Sequence, residues 1–211
     1  MKNVSATLIL TFISIFSFSQ LRFYTEAGFH QSRPIFLGGN KNGTPAETAF
    51  TGFTASIGSI NKISNSFHFN TKISFIRKKF YESFFVEPDY YGSNEYKVSA
   101  LQFHVLAEKN ISQKRKLQFF PSLGFYTTMH TAGTVDYEIY NFGNYQTGQR
   151  DIILNKNGDF RRWDAGLSFG IKTQWEKYYF QFLTDAGIVE PSLYNSNKWG
   201  SVKFTVGYFF K

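Results

Sequence analysis

Apolar and polar side chains alternate strictly along the C-terminal segment, which reads SVKFTVGYFFK from Ser201 to Lys211. Neighbouring side chains of a β-strand point to opposite faces, so this period of two predicts a strand with one apolar and one polar face. The apolar face is Val202, Phe204, Val206, Tyr208 and Phe210. An aromatic-rich outward face of this kind is typical of a strand in a membrane-spanning β-barrel.

The same alternation recurs in seven earlier segments, and each has a polar face of small residues and isolated charges. These predicted strands span 21–30, 47–60, 67–80, 96–109, 117–132, 161–175 and 178–189. Aromatic residues make up 20% of the chain, yet the mean hydropathy is only -0.28, because apolar residues are dispersed among polar ones. We therefore predict an all-β fold, an eight-stranded antiparallel up-and-down transmembrane β-barrel.

Three details of the strands carry further expectations. Trp163 and Trp175 share one face of a strand, and we expect them to mark the two membrane interfaces. Pro121 has no amide to donate, so we expect a bulge or a break in the ladder there. Long connections at 31–46, 81–95, 133–160 and 190–198 alternate with short ones, which predicts external loops and periplasmic termini.

The first nineteen residues have the pattern of a secretory signal peptide. Lys2 precedes an apolar run that ends at Phe18, and this run is too short to span a bilayer as a membrane anchor. Small residues place the predicted cleavage between Ser19 and Gln20. The domain organisation is thus predicted as a signal peptide over 1–19 and one barrel domain over 20–211.

Charge and cysteine content narrow the chemistry. The chain has no cysteine, which excludes disulfides and thiolate metal ligands. Its net charge of +8 is explained either by attraction to lipopolysaccharide and anionic headgroups or by solvated charges at strand ends. An exported chain meets no nucleic acid in the ordinary course, so we expect none as a partner.

Alternation alone also fits a soluble barrel such as a lipocalin, whose apolar side chains point inward. The polar face here is rich in glycine and small hydroxyl residues, which suits a narrow, filled interior. The apolar face is crowded with phenylalanine, too bulky for the inside of eight strands. These two features favour the membrane barrel over the soluble one.

The segments WDAGLSFGIKTQW, EAGFHQS and VGYFFK resemble the small outer-membrane β-barrel proteins common in Bacteroidota, the PorT-like or outer membrane protein β-barrel domain family. The resemblance covers the whole mature chain and implies eight antiparallel strands in an outer membrane. It implies no transferable functional residues. Tyr208 and Phe210 resemble the terminal recognition signal of the barrel assembly machinery.

A polar network is predicted inside the barrel. If the third and fourth strands pair with a residue sum near 176, His68 faces Glu108 and Lys72 faces His104. Such a cluster is either a proton-linked site or a structural network in which buried charges find partners. The full predicted set is Glu26, His68, Lys72, His104, Glu108, Arg162, Asp164, Lys172, Asp185 and Lys203.

Other functional features are weaker. We expect neither metal nor another cofactor, because the four histidines are spread over both ends of the barrel. Ser32 near His30 is the one serine and histidine pair that a lipid-modifying enzyme could use. Aromatic residues in the predicted second and third external loops suit either a binding surface or the membrane interface. They are Phe84, Phe85, Tyr90, Tyr91, Tyr137, Tyr140, Phe142 and Tyr145.

The sequence therefore predicts a monomeric outer-membrane barrel without catalytic activity, with a structural or interaction role through its external loops. Its expected surroundings are outer-membrane lipid and lipopolysaccharide, and an extracellular partner could bind its loops. Two alternatives stay open: a narrow pore or a carrier of small apolar ligands, and a lipid-modifying enzyme.

Overall fold

The computed structural model describes residues 20–35, 50–87, 90–112, 116–154, 162–188 and 198–210. The predicted signal peptide and Ser19 lie outside these residues. The described residues form nine antiparallel strands, β1 to β9. Their bounds are Gln20–Ile35, Phe50–Lys62, Phe67–Glu87, Tyr90–Lys109, Leu117–Asn141, Asn144–Asp151, Trp163–Trp175, Tyr178–Gly187 and Lys198–Phe209. No helix in this part of the chain is long and apolar enough to cross a membrane.

Eight of the strands close into a ring, which confirms the predicted barrel. Each barrel strand pairs with its neighbour in the chain order β1, β2, β3, β4, β5, β7, β8, β9, and β9 pairs again with β1, as at Ala27 and Val206. We call the end that holds the start of β1 and the end of β9 the inner end, and the opposite end the outer end.

The ninth strand, β6, was not predicted, and it lies outside the ring. It pairs with β5 alone in a hairpin whose turn residues, Phe142 and Gly143, have φ of 45° and 85°. Two consecutive positive φ values are the geometry of a tight hairpin turn. The predicted loops 81–95 and 133–160 were therefore largely wrong, because β3, β4 and β5 continue as paired strands at the outer end. We call residues 80–87, 90–97, 132–141 and 144–151 the outer sheet.

The break expected at Pro121 is present in one of its two ladders. Pro121 pairs in register with Ile171 of β7, whereas the β4–β5 ladder ends beside it, at Glu108 and Ser122. A second irregularity, which was not predicted, lies near Thr131, where Ser99 faces Ala132 and Ala100 faces His130. One extra residue moves the inward positions of β5 from even to odd numbers, so Val135 is buried in the outer sheet.

The apolar and polar faces point outward and inward, as a membrane barrel requires. Phe29, Leu123 and Phe125 on the outside are 77%, 63% and 65% exposed, whereas polar and charged side chains fill the inside. Trp163 and Trp175 are both exposed on the outer surface at opposite ends of β7. This arrangement is the reverse of the soluble lipocalin alternative.

Glycines of the inward face make room for tyrosine rings. In four cross-strand pairs a tyrosine lies directly opposite a glycine, and a methyl group on that glycine would overlap the ring. The pairs are Tyr24 with Gly58, Tyr126 with Gly166, Tyr137 with Gly148 and Tyr179 with Gly207. The small residues that first indicated a narrow interior therefore let large rings lie flat across the neighbouring strand.

Candidate functional site

Three lysine and carboxylate pairs occupy the middle of the lumen, and all six side chains are buried. Lys72 Nζ lies 2.7 Å from Glu26 Oε1. The other two pairs are Lys172 with Glu108 and Lys203 with Asp185. The first two pairs join strands that are not neighbours in the ring, β3 with β1 and β7 with β4, whereas the third joins the consecutive strands β8 and β9. Such contacts form because alternate residues of every barrel strand point to the same narrow interior.

Uncharged polar groups extend the first two pairs across the barrel. The carboxylate of Glu108 accepts a hydrogen bond from Asn70 Nδ2 at 2.6 Å, and Asn70 Oδ1 accepts one from the Tyr24 hydroxyl at 2.7 Å. The Tyr179 hydroxyl donates to Glu26 Oε2 at 2.8 Å. These bonds satisfy the carboxylate oxygens that burial removes from water.

Asp185 is the centre of the third group. It accepts hydrogen bonds from Lys203 Nζ and from Ser168 Oγ, the latter at 2.6 Å, and its Oδ1 lies 3.3 Å from His104 Nε2. Lys203 also donates to Gln102 Oε1. These contacts tie Asp185 of β8 to three other strands of the barrel wall, β4, β7 and β9.

The structure brings seven of the ten predicted network residues together: Glu26, Lys72, His104, Glu108, Lys172, Asp185 and Lys203. His68 lies opposite Glu108 in the predicted register, yet it is half-buried and its ring packs 5.1 Å from Phe120. Asp164 lies nearer the outer end and accepts the Tyr126 hydroxyl at 3.2 Å. Arg162 is exposed just before β7, so it does not join the lumen network.

Sequence reasoning missed the uncharged members of the network. Asn70, Gln102, Ser168, Tyr24 and Tyr179 all occupy the inward positions of predicted strands. Their signal was the same period of two that identified the charged residues. Uncharged polar residues are common on any polar face, so their presence alone does not mark them as members of a network.

An aromatic layer closes the inner end of the lumen. Tyr24, Tyr179 and Phe209 have ring centroids 5.1 to 5.7 Å apart and are buried together with Ile60. Lys172 Nζ lies 4.8 Å from the ring centroid of Phe120, a cation–π distance. The ion pairs rest directly on this layer, which fills the cross-section where a channel would need water.

Near the outer end a cavity of about 30 Å³ remains, with His30, Ser32, Tyr126 and Asp164 among its lining residues. Ser32 Oγ and His30 Nε2 are 2.9 Å apart, so the two residues noted in the sequence do meet. Both are buried inside the barrel, where an acyl chain of the surrounding lipid cannot reach them. The cavity has room for one or two waters, too little for an apolar ligand.

Charged side chains tie the four strands of the outer sheet together on its outward face. Lys79 pairs with Glu95, Lys97 Nζ lies 2.5 Å from Asp136 Oδ2, and Gln149 Nε2 donates to Asp136 Oδ1 at 2.5 Å. These contacts run from β3 through β4 and β5 to β6. The outer sheet is therefore one connected surface and not a set of separate loops.

Aromatic residues mark the tip and the base of the outer sheet. Tyr91 and Tyr140 stack with centroids 4.9 Å apart, and Tyr145 pairs with Tyr140 in the ladder. At the base, Ile152 is buried on the inward face in a cluster whose other members are Tyr96, Val98, Val135 and Leu154. The side chains of Phe84, Phe85 and Tyr90 lie outside the described part of the structure.

The ion pair at Asp136 makes the hairpin sensitive to acid. Asp136 lies in the part of β5 that belongs to the outer sheet, beyond the membrane. Hydrogen bonds from Lys97 and Gln149 hold the pKa of its carboxyl below its usual range. Because the pKa of Asp136 is lower in the folded protein, its ionised carboxylate stabilises the β5–β6 hairpin at pH values above the unfolded pKa of about 3.9. This stabilisation is lost as the pH falls through the lower pKa of the folded state. We expect the Gln149 side-chain amide signals in NMR spectra to move only below about pH 4.

The Glu138→Gln variant is the control and should keep this titration, whereas Asp136→Asn should abolish it. Movement of the Gln149 signals at pH 5 to 6 would contradict the assigned contact.

Within the described ranges, no three histidine or acidic side chains are grouped so that they could hold a metal ion. The structure thus offers two features of functional interest: a lumen filled by paired charges and a connected outer sheet.

The apolar band between two tryptophans, the polar interior and the strands that continue past one end define a transmembrane β-barrel of the outer-membrane type. The family model described as outer membrane protein beta-barrel domain matches residues 17–198, and the chain belongs to that family. The protein is accordingly an outer-membrane barrel.

Solved structures of similar shape come from several bacteria. The attachment invasion locus protein Ail of Yersinia pestis, in complex with the heparin analogue sucrose octasulfate, has 13% identity and a TM-score of 0.40 over 90% of this chain and 99% of its own. Neisserial surface protein A has 10% identity and a TM-score of 0.43 over 90% and 97%. OprG of Pseudomonas aeruginosa has 10% identity and 0.43 over 91% and 97%. No curated protein matches the chain.

Proposed function

We propose that this protein is a non-conducting, non-catalytic outer-membrane barrel that presents its outer sheet to a partner outside the cell. The observation that carries the proposal is the contrast between the two halves of the molecule. Paired charges and an aromatic layer fill the lumen, whereas β6 is added to strands that rise beyond the barrel.

The outer sheet stands well clear of the membrane. On β3 the outward positions change from Phe75 to Arg77 and Lys79, and the strand continues to Glu87. Eight residues at about 3.3 Å each, tilted by about 40°, reach about 20 Å above Lys79. That height suits contact with large molecules in the surroundings.

The filled lumen argues against the alternatives. An eight-stranded barrel holds little more than its own side chains, so the pore and the apolar carrier lack space. The Ser32 and His30 pair faces the lumen, away from the lipid that a lipid-modifying enzyme would need. The proposal accordingly includes no cofactor and no metal.

The finer parts of the proposal concern export and assembly. Residues 1–19 act as a signal peptide cleaved before Gln20, and the inner end with both termini faces the periplasm. The barrel assembly machinery recognises Tyr208, on the outward face of β9, and the exposed Phe210 directly after this strand. The barrel is a monomer and belongs to the PorT-like proteins of Bacteroidota. Arg77 and Lys79 lie at the level of the lipopolysaccharide phosphates.

Photo-crosslinking in intact cells tests the role of the outer sheet. A photoreactive residue at Tyr145 should give a covalent adduct with a polypeptide, whereas one at Tyr178, on the lipid face near the inner end, should not. Replacing residues 138–147 by Asn-Gly closes the hairpin at the Tyr137 and Gly148 pair and should abolish partner binding without changing heat-modifiable gel mobility. No adduct at Tyr145, or stepwise conductance in planar bilayers, would overturn the proposal.

A further inference from the structure

The outer sheet is acidic, although the chain as a whole carries a net charge of +8. Its cationic residues are Lys97 and Arg150, whereas its carboxylates are Glu82, Glu87, Glu95, Asp136, Glu138 and Asp151. These residues give the sheet a net charge of -4, or -3 with Lys79, which borders the sheet and pairs with Glu95, so the excess positive charge of the chain lies elsewhere. An asymmetry of this size attracts ligands of positive charge.

Contacts within the sheet show which carboxylates remain available. Lys97 is held by Asp136 at 2.5 Å and lies 3.8 Å from Glu95. Glu138 is exposed on the same outward face, two residues from Tyr140, and accepts a hydrogen bond from Tyr145. Asp151 is exposed at the end of β6. Glu138 and Asp151 thus leave negative charge at both ends of the β6 hairpin.

The edge of β6 indicates the shape of the ligand. Among the described residues β6 has a strand neighbour on one side only. The backbone donors and acceptors along its other edge are therefore not paired with a strand of the sheet. Its sequence, NYQTGQRD, has neither the lysine nor the proline that commonly blocks an edge strand. Such an edge accepts an extended polypeptide as an additional strand.

We infer that the β6 edge and the carboxylates beside it bind an extended, basic polypeptide segment. The inference rests on the proposed function and names the chemical class of its partner. Backbone hydrogen bonds along β6 hold the segment, and its lysine or arginine side chains lie beside Glu138 and Asp151. Tyr145, exposed beside Glu138, adds a ring face for a cation.

Fluorescence anisotropy with defined peptides tests this inference on the purified, full-length mature barrel. The probe is a fluorescein-labelled (Lys-Thr)4 peptide, and (Glu-Thr)4 is its charge control. We expect only the lysine peptide to bind, and we expect its affinity to fall about tenfold or more between 50 and 500 mM NaCl, because salt screens exposed charges. A lysine peptide with N-methylated backbone should bind more weakly, because it cannot add to a strand edge.

Matched variants separate the outer sheet from charge in general. Glu138→Gln combined with Asp151→Asn should weaken binding about 4- to 25-fold, since each exposed pair contributes a factor of about two to five. Glu176→Gln removes an exposed carboxylate in the turn at the inner end and should leave the affinity unchanged.

Equal binding of both peptides, or equal affinity of the two charge variants, would overturn the inference. A Tyr145 adduct in cells without binding of the lysine peptide would show that the partner is not basic, while the interaction role would stand. Binding of the lysine peptide that survives N-methylation would remove the strand-addition mode and overturn the inference as stated.

Discussion

Lys172→Met is expected to destabilise the barrel by about 3 to 5 kcal/mol, the cost of leaving one member of a buried ion pair alone. Lys172 and Glu108 are both fully buried. The methionine would remove the charged partner of Glu108 and leave its carboxylate with the hydrogen bond from Asn70. The removed ammonium group also lies above the ring of Phe120. Urea unfolding of the detergent-solubilised barrel, followed by tryptophan fluorescence, measures the change.

Two further variants distinguish the ion pair from a general effect of substitution. Glu108→Gln in the Lys172→Met background removes the stranded charge and should recover more than half of the lost stability. Lys116→Met, at an exposed position in the turn before β5, should change the stability by no more than about 0.5 kcal/mol. A Lys172→Met protein as stable as the wild type would show that the lumen charges are solvated.

Leu123→Arg is expected to destabilise the folded barrel by about 2 to 4 kcal/mol, the range for a charge at the bilayer midplane. Leu123 is 63% exposed on the outside of β5, six residues from the inner end of the strand. Its side chain therefore lies about midway between the levels of Trp163 and Trp175. Reversible unfolding from lipid vesicles, compared with the wild type, gives the difference.

Leu117→Arg is the matched control, because it makes the same change on the same face of the same strand. Leu117 begins β5 opposite Trp175, at the membrane interface, where an arginine costs about 0 to 1 kcal/mol. Equal stability of the two variants would show that the outward face is not in contact with lipid, and it would favour the soluble, lipocalin-like alternative.

The Lys172→Met and Leu123→Arg predictions concern the two faces of the barrel wall, the lumen side and the lipid side. A barrel whose inside is locked by ion pairs and whose outside is held by lipid is a rigid support. The outer sheet extends that support, because β3, β4 and β5 run from the barrel into the sheet as paired strands. A partner that binds the sheet meets a surface whose strands are already ordered. Less conformational entropy is lost on binding such a surface than on binding a free loop.

Much of the barrel was predictable from local alternation. Each barrel strand presents phenylalanine or leucine outward and glycine, serine or charge inward, and this pattern needs no knowledge of distant residues. The register of β3 and β4 followed in the same way, since both strands and their approximate ends were visible. His68 therefore lies opposite Glu108, as expected.

The outer sheet was not predictable by the same reasoning. Residues 144–151 read NYQTGQRD and contain one aromatic residue, so no apolar alternation reveals that they form a strand. β6 exists because the hairpin turn at Phe142 and Gly143 brings it to the edge of β5. Backbone hydrogen bonds to a neighbour depend on the neighbour, and side-chain periodicity does not report them.

The sequence by itself determined which residues face lipid and which face the lumen, because that choice depends on each strand's own period of two. Only the tertiary structure decided which charges meet. Lys172 reaches Glu108 and not Glu26, and Arg162 stays outside, because strand tilt and the order of the ring set the height of every side chain. This geometry determines which charged side chains pair inside a closed barrel, and it exists only when all eight strands are in place.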